Sequence, residues 1–385
     1  MKMINSEKYQ AINWVDGMKI SQQHFDAHTN FILDGFREVR AVFTNAFTYG
    51  LLPLNGKSSG QAIFDLVDSL TGDVEVVIKR CSALTPGGYR IDLDDFKTSL
   101  KELLPVVAEE LHQQKIPYYL LLSVNPFDKI PYGPLDLEET PPRYPFTKPR
   151  HRIEFMPVTS FDTNGSMEES NFIVIGKIIV QGETLQTDVH FIPPCTSMRS
   201  HPLLLQSYNR AATSLPLLQK YALRILQKNK IDKQNSTLAT NVKQLCQVLI
   251  RDIGSTYFHF RNVIPHVSPI YFVEGFSQLS IHLYQTTQVL SSVDLEELLS
   301  YIGEWSDLAP HMLLSQLTTV AEMKYEHLDC GAHLDQIHLL LSSLEKIFLQ
   351  LSELDYIGQR KENIIITALE VAPPPKTNRG WSVLD

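Results

Sequence analysis

Trp14-Val15-Asp16-Gly17-Met18-Lys19-Ile20-Ser21-Gln22-Gln23-His24-Phe25 is the stretch on which the reading of this chain turns. It packs a Trp, a Gly, a Met, a His and a Phe into a short segment near the N-terminus, with no nucleophile motif and no phosphate loop among them. Trp is enriched among the residues that carry binding energy at protein interfaces. The segment therefore reads as an anchor, set either against a partner or in the core beside it. Ser21 is placed to accept from the free N–H groups of a first helical turn. Past it, Phe25, Phe31, Ile32, Phe36, Val39, Val42 and Phe43 recur mostly at three- and four-residue intervals, which predicts a helix over 21–47 with one apolar face.

Outward from that helix the pattern changes period. Val74–Lys79 partly alternates, Pro86-Gly87-Gly88 supplies a tight turn, and Tyr89-Arg90-Ile91 restarts a strand. Pro117–Val124 and Phe172–Val180 are apolar runs of strand length. Short strands between turn signals predict an antiparallel sandwich or barrel over 48–198. Residues 97–113 give a mixed signal, helix or loop. Between Pro126 and Arg152 seven prolines rule against a central strand, and a long surface loop is expected there, either simply solvated or making contacts.

From 199 to 355 the period is helical. Leu204, Tyr208, Ala211, Leu215, Leu218, Ala222 and Ile225 step 4-3-4-3-4-3, with Pro216 expected to kink or break the helix. Val242–Ile253 makes a second stripe, and Ser268-Pro269 opens a third. A fourth helix is expected near 306–323 behind Ser306 and Asp307. Ile337, Leu341, Leu344, Phe348 and Leu351 mark a fifth. Long helices with short polar connections predict a bundle. Heptad spacing also permits helices of separate chains to wind together, and Leu204, Tyr208, Leu215, Ile337, Leu341, Leu344 and Phe348 are the residues expected at such an interface. A closed bundle within one chain is the alternative. Over 356–385, Asn363–Leu369 reads as one strand and Pro373-Pro374-Pro375 begins a stiff tail.

The expected fold is thus α+β. An N-terminal arm and helix (1–47) leads into a β-sandwich-like shoulder (48–198). An antiparallel helical-bundle neck (199–355) follows, then a short C-terminal strand and Pro-rich tail (356–385). The net charge of -9 over 385 residues argues against a general nucleic-acid binder. Cys81, Cys195, Cys246 and Cys330 stand far apart and read as reduced thiols of a cytoplasmic protein. No apolar run is long enough to span a membrane, and no secretory signal opens the sequence.

Three clusters invite chemistry. His24 and His28 stand one turn apart, but the Glu of a His-Glu-x-x-His site is missing. His327, Cys330 and His333 are spaced by threes and would suit a zinc-dependent hydrolase if they converged, though Gly331 is expected to interrupt the helix between them. Gly56-Lys57-Ser58-Ser59-Gly60 matches Gly-x-Ser-x-Gly on paper without the strand that a nucleophile elbow needs before it. No enzymatic activity, cofactor or metal is expected from these.

At the opening stretch the sequence resembles a family, the type VI secretion baseplate subunit TssK. Its N-terminal signature runs roughly Trp-x-Glu-Gly-Met-x-Leu-x-Pro-Gln-His-Phe-Gln. Trp14, Gly17, Met18, Gln23, His24 and Phe25 match it directly. Asp16 replaces Glu and Ile20 replaces Leu. Gln22 stands where the family has Pro, and Asp26 where it has Gln. Weaker likeness follows at Glu139–Arg143, at Ser268–Tyr271 and at Tyr325-Glu326-His327-Leu328-Asp329. The resemblance implies a homotrimeric structural adaptor whose shoulder grips the wedge proteins TssF and TssG through those six N-terminal residues. It implies a membrane complex as the further partner, at the inner face of the bacterial envelope, with no insertion into the membrane. It also implies a C-terminal head, for which only about thirty residues follow the last expected helix, so a reduced head is expected. A phage-tail-like receptor-binding protein is the competing class.

Overall fold

The computed structural model describes residues 8–53, 63–68, 74–100, 115–161, 171–181, 184–231 and 236–361. The chain forms two compact units. One comprises Met1–Ala212, Thr256–Phe276 and Met323–His338; the other comprises Thr213–Ser255, Ser277–Glu322 and Leu339–Asp385.

The first unit opens with α1 (Gln22–Phe43) and holds two antiparallel four-stranded sheets. In the first sheet β3 (Val74–Leu84) is central. It pairs with β4 (Arg90–Ser99) on one edge, and with β1 (Gly50–Leu51) and β2 (Asp65–Asp68) on the other. The second sheet runs β6-β5-β7-β8, built from β5 (Ile116–Tyr132), β6 (Phe146–Pro157), β7 (Phe172–Gln181) and β8 (Thr184–Thr187). Alternation puts Val76 and Ile78 of β3 and Ile91 and Leu93 of β4 into the core. Tyr118–Leu122 are buried without alternation, because both faces of β5 are covered. Tyr119 and Leu121 pack with Val174 and Phe191 on one side. The Phe64 ring, just before β2, lies where a Cβ on Gly176 of β7 would stand, so the glycine makes room for the contact between sheets.

The helices that follow are α2 (Pro202–Ile231), α3 (Thr237–Asn262), α4 (Pro269–Gln288), α5 (Ser292–Ser306), α6 (Met312–Ala321) and α7 (Gly331–Glu353). All five expected helices are present, as α2, α3, α4, α6 and α7, the fourth starting at Met312 instead of directly behind Ser306 and Asp307. Pro216 does not end α2, which runs through it unbroken; Leu215 and Leu218 on either side are buried and hold that turn in place. Ser306 and Asp307 close a helix instead of opening one. Asp307 takes a left-handed conformation (φ 51°) and its N–H returns to the Gly303 carbonyl. α5 was not among the expected helices; Ser291 caps it by accepting from the Asp294 N–H at 3.2 Å.

The heptad residues of α2 and α7 are used inside the chain. Leu204, Leu215, Ile337, Leu341, Leu344 and Phe348 are all buried, and Tyr208 stacks on Phe260 at 5.0 Å between ring centroids. Six of these seven side chains have no surface left to offer a second copy. In the second unit Leu344, Ile347, Phe348 and Leu351 of α7 meet Val242, Leu245, Leu283, Ile302, Leu313 and Leu317 around a cavity of about 20 Å³. The segment after α7 folds onto α5: the Gly358 N–H donates to the Tyr301 hydroxyl, and Arg360 pairs with Glu304 at 2.9 Å. The strand expected at 363–369 and the tail beyond it lie outside the described residues, as does Gly56–Gly60. Among the described residues no helix is long and apolar enough to cross a membrane.

Candidate interaction surface

α1 buries the side that its sequence marks as polar. Its buried residues are Asp34, Arg37 and Ala41. The Asp34 carboxylate accepts from the Lys8 N–H at 2.5 Å, the Tyr9 N–H at 3.2 Å and the Arg37 Nε at 2.6 Å. Burial alone would raise its pKa, but the Arg37 guanidinium and the two backbone donors hold it below the usual carboxylate range. Around this anchor α1 sits close on the β3–β4 turn. A Cβ on Gly88 (φ 85°) would come within 2.5 Å of the Arg37 carbonyl and 2.8 Å of the Ala41 nitrogen, so only glycine lets the helix approach.

The apolar side of α1 consequently faces outward. Phe25, Ile32, Phe36, Val39, Val42 and Phe43 are all exposed, Phe43 by 79%. The spacing that predicts one apolar face on this helix matches the observed stripe. What the sequence could not show was that a buried Asp–Arg pair would claim the opposite side.

The N-terminal signature continues this open surface. Trp14 and Phe25 are exposed by 45% and 59%, and Val15 and Ile20 are open beside them. Met18 is half-buried and Gln23 exposed. Gly17 takes φ 78°, a conformation that its neighbours could not adopt without strain, and so reverses the chain ahead of the helix. The His24 Nδ1 accepts from the Ser21 N–H at 3.1 Å and so closes the first turn. Trp14 lies 6.1 Å from the rings of both His24 and His28, which gives the two histidines a packing role. The anchor is therefore not part of this chain's own core.

The second cluster is a structural tie. His327 is buried, with Nε2 2.9 Å from the Tyr49 carbonyl and Nδ1 2.8 Å from the Tyr325 hydroxyl. The carbonyl requires a proton on Nε2, so Nδ1 accepts from the phenol and both nitrogens are occupied. Burial lowers the His327 pKa to about 4, which keeps it neutral. His333 uses its Nε2 to accept from the Glu326 N–H at 2.9 Å. Cys330 is buried, and burial pushes its thiol up to about 12. Gly331 begins α7, so His327 lies in the loop before the helix and His333 on it, and no convergent ligand set forms. Among the described residues no three His, Cys, Asp or Glu side chains are arranged to hold a metal ion. What His327 holds instead is the strand after α1. Residues 49–51 are clamped by His327 on one side, and on the other by the Leu51 N–H to the Pro194 carbonyl (2.8 Å) and the Thr196 N–H to the Leu51 carbonyl (2.9 Å).

The proline-rich stretch is not a loop throughout. β5 and β6 continue past their sheet as a two-stranded ribbon, with Lys129 facing Pro149 and Tyr132 facing Phe146. Pro126 and Pro131 are tolerated because β7 pairs with β5 only as far as Ser123, and Pro149 because β6 is an edge strand of its sheet. At its tip Arg143 pairs with Glu139 and exchanges backbone hydrogen bonds with Asp136. Tyr132, Leu137, Tyr144 and Phe146 are exposed along it.

The architecture is a β-rich unit with an outward apolar helix, followed by long helices. No family model and no curated protein matches the sequence. The likeness is in the fold. A chain of the baseplate complex from the type VI secretion system aligns with a TM-score of 0.51 at 14% identity, over 89% of this chain and 99% of that one. A crystal structure of TssK aligns at 0.49 and 14% identity, over 87% of this chain and 69% of that one. A TssK–TssF–TssG baseplate subcomplex aligns at 0.47 and 14%, over 88% and 99%. The chain has the fold of a type VI secretion baseplate subunit.

Proposed function

We propose that this chain is a TssK-type structural subunit of a type VI secretion baseplate, a trimeric adaptor that joins the wedge proteins TssF and TssG to a membrane-anchoring complex. The reading rests above all on the fold likeness to a baseplate chain along nearly the whole of both chains. The N-terminal signature adds to it, since Trp14 and Phe25 stand open at the start of α1 instead of filling a core. In this reading Trp14, Gly17, Met18, Gln23, His24 and Phe25 form the wedge contact, with Gly17 and His24 shaping the segment and Trp14 and Phe25 inserting into the partner. The protein works without catalysis, in the cytoplasm, at the inner face of the envelope. Co-purification with TssF and TssG proteins is the test. Wild type retains both, whereas Trp14→Ala with Phe25→Ala loses at least tenfold in retention, as central aromatic contacts do at about 1.4 kcal/mol per tenfold. Equal retention by wild type and variant would remove the contact assignment; no retention by either would remove the adaptor reading.

A further inference from the structure

The second sheet carries a polar cavity of about 200 Å³ at the root of the β5–β6 ribbon. Strand pairing explains its shape. Ser123 of β5 faces Arg152 of β6 on one side and Phe172 of β7 on the other, and Asn125 faces Arg150. Directly opposite side chains share one face of a sheet, so two short side chains on the middle strand lie between longer ones on its neighbours. The result is a trough. Two residues back on the same face, Leu121 belongs to the apolar cluster with Tyr119 and Val174, and Phe172 packs against that cluster. The trough therefore starts at an aromatic wall and runs into polar ground.

The polar groups are held in place and only partly used. The Phe127 N–H donates to Asn125 Oδ1 at 3.1 Å, which leaves the Asn125 Nδ2 as a donor. Asn171 Nδ2 donates to the Val124 carbonyl at 2.9 Å, which leaves its Oδ1 as an acceptor. Arg150 commits its Nε to Asp128 at 2.7 Å and keeps its terminal N–H groups. Among the described residues the side chains of Arg152 and Glu154 enter no ion pair or hydrogen bond. Two arginines against Asp128 and Glu154 leave the trough without net charge.

We infer that the trough is a binding site for an uncharged saccharide, one sugar ring with its C–H face toward Phe172 and its hydroxyls toward the two amides, Arg152 and Glu154. Charge balance selects this class: an oxyanion would meet Asp128 and Glu154, and a cation would meet the two arginines. A hydroxyl both donates and accepts, so a ring bearing several of them uses donors and acceptors set side by side. The size agrees, since it falls below the about 300 Å³ at which pockets for drug-sized ligands begin. The inference stands apart from the baseplate reading and gives the β-rich unit a binding activity besides assembly.

The test is saturation-transfer NMR on the full chain with glucose, galactose, N-acetylglucosamine and maltose, and with citrate as the anionic control. Wild type is expected to bind at least one sugar, equally in low and high salt, because no net charge is there to be screened. Arg152→Ala and Glu154→Ala sit at exposed positions, so circular dichroism should be unchanged. Each is expected to weaken the sugar at least about tenfold, the loss of one hydrogen bond to a charged group. No transfer to any of the four sugars overturns the site. Equal binding by wild type and both variants puts the sugar elsewhere and overturns the assignment. Citrate binding more tightly than any sugar, and weakened by salt, overturns the uncharged class. Loss of TssF and TssG retention in these variants makes the trough a protein contact and overturns the saccharide, while the baseplate reading stands.

Discussion

In α7, Ile337, Leu341, Leu344, Phe348 and Leu351 step along the helix by four and three residues, and each is all but sealed from solvent; in α1, Phe25, Ile32, Phe36, Val39 and Phe43 follow the same register and stay open. Both stripes are apolar and both helices run for more than 20 residues. The difference lies in what meets the other side. α7 turns its stripe toward apolar residues of α3, α4, α5 and α6 within the second unit. α1 is held by a buried ion pair, a backbone-clamped N-terminal arm and a glycine turn, all on its polar side. Amphipathic periodicity thus measures that a helix has an apolar face and says nothing about whose atoms will cover it.

The sharpest way to break the comparison is to truncate one residue in each stripe. Leu341→Ala in α7 removes a fully buried side chain and should cost about 3 kcal/mol, within the range for buried leucines. Val39→Ala in α1 should cost less than about 0.5 kcal/mol in chain stability, as exposed positions do, when urea unfolding is followed at concentrations that keep single chains apart. Comparable losses at the two positions would mean that α1 is covered within the chain after all.

Next in size is the anchor itself. Asp34→Ala leaves Arg37 buried without its carboxylate and the Lys8 and Tyr9 amides without an acceptor. Loss of one partner of a buried pair costs about 3 kcal/mol or more. Hydrogen exchange should then show the 8–9 amides and α1 opening together, with α7 unaffected. Protection at 8–9 that survives the substitution would show that something other than Asp34 holds the arm.

A smaller effect sharpens the contrast through pH. His327 holds the strand immediately after α1, and its folded pKa of about 4 lies below the ordinary imidazole value near 6.5. Between those values the unfolded chain binds the proton and the folded chain does not, so stability present above about pH 6.5 is lost as pH falls toward 4. The share from His327 at pH 5 is about 2 kcal/mol. His201, also lowered to about 4 by burial, adds in the same direction. Thermal unfolding at pH 7.5 and pH 5 should therefore differ less in His327→Gln than in wild type. An unchanged difference would place His327 in water in the native protein.

Much of the architecture was legible in the residues. The strands at Val74–Lys79, Pro117–Val124 and Phe172–Val180, the Pro-Gly-Gly turn and four of the long helices follow from period and punctuation alone. The misreadings share one cause. Seven prolines between 126 and 152 argued against a sheet interior, and they do lie outside one, yet a ribbon with two free edges accommodates three of them as strand residues. Ser306-Asp307 has the composition of a helix start and serves as a stop, because its backbone turns left-handed. His327, Cys330 and His333 were equally spaced in sequence, but only folding could show that a carbonyl at Tyr49 and a phenol at Tyr325 had already taken both imidazole nitrogens.

What the sequence determined by itself was local: which segments are helix or strand, where turns fall, and that α1 has an apolar stripe. Those properties are set by neighbours within about one turn or one pleat. Only the tertiary structure decided which stripes are core and which are surface. That choice is made by long-range partners: Gly88 and the Lys8–Tyr9 arm for α1, and the packed helices of the second unit for α7. An apolar face is buried wherever complementary surface lies within reach, and for α1 the described residues supply that surface only on the polar side.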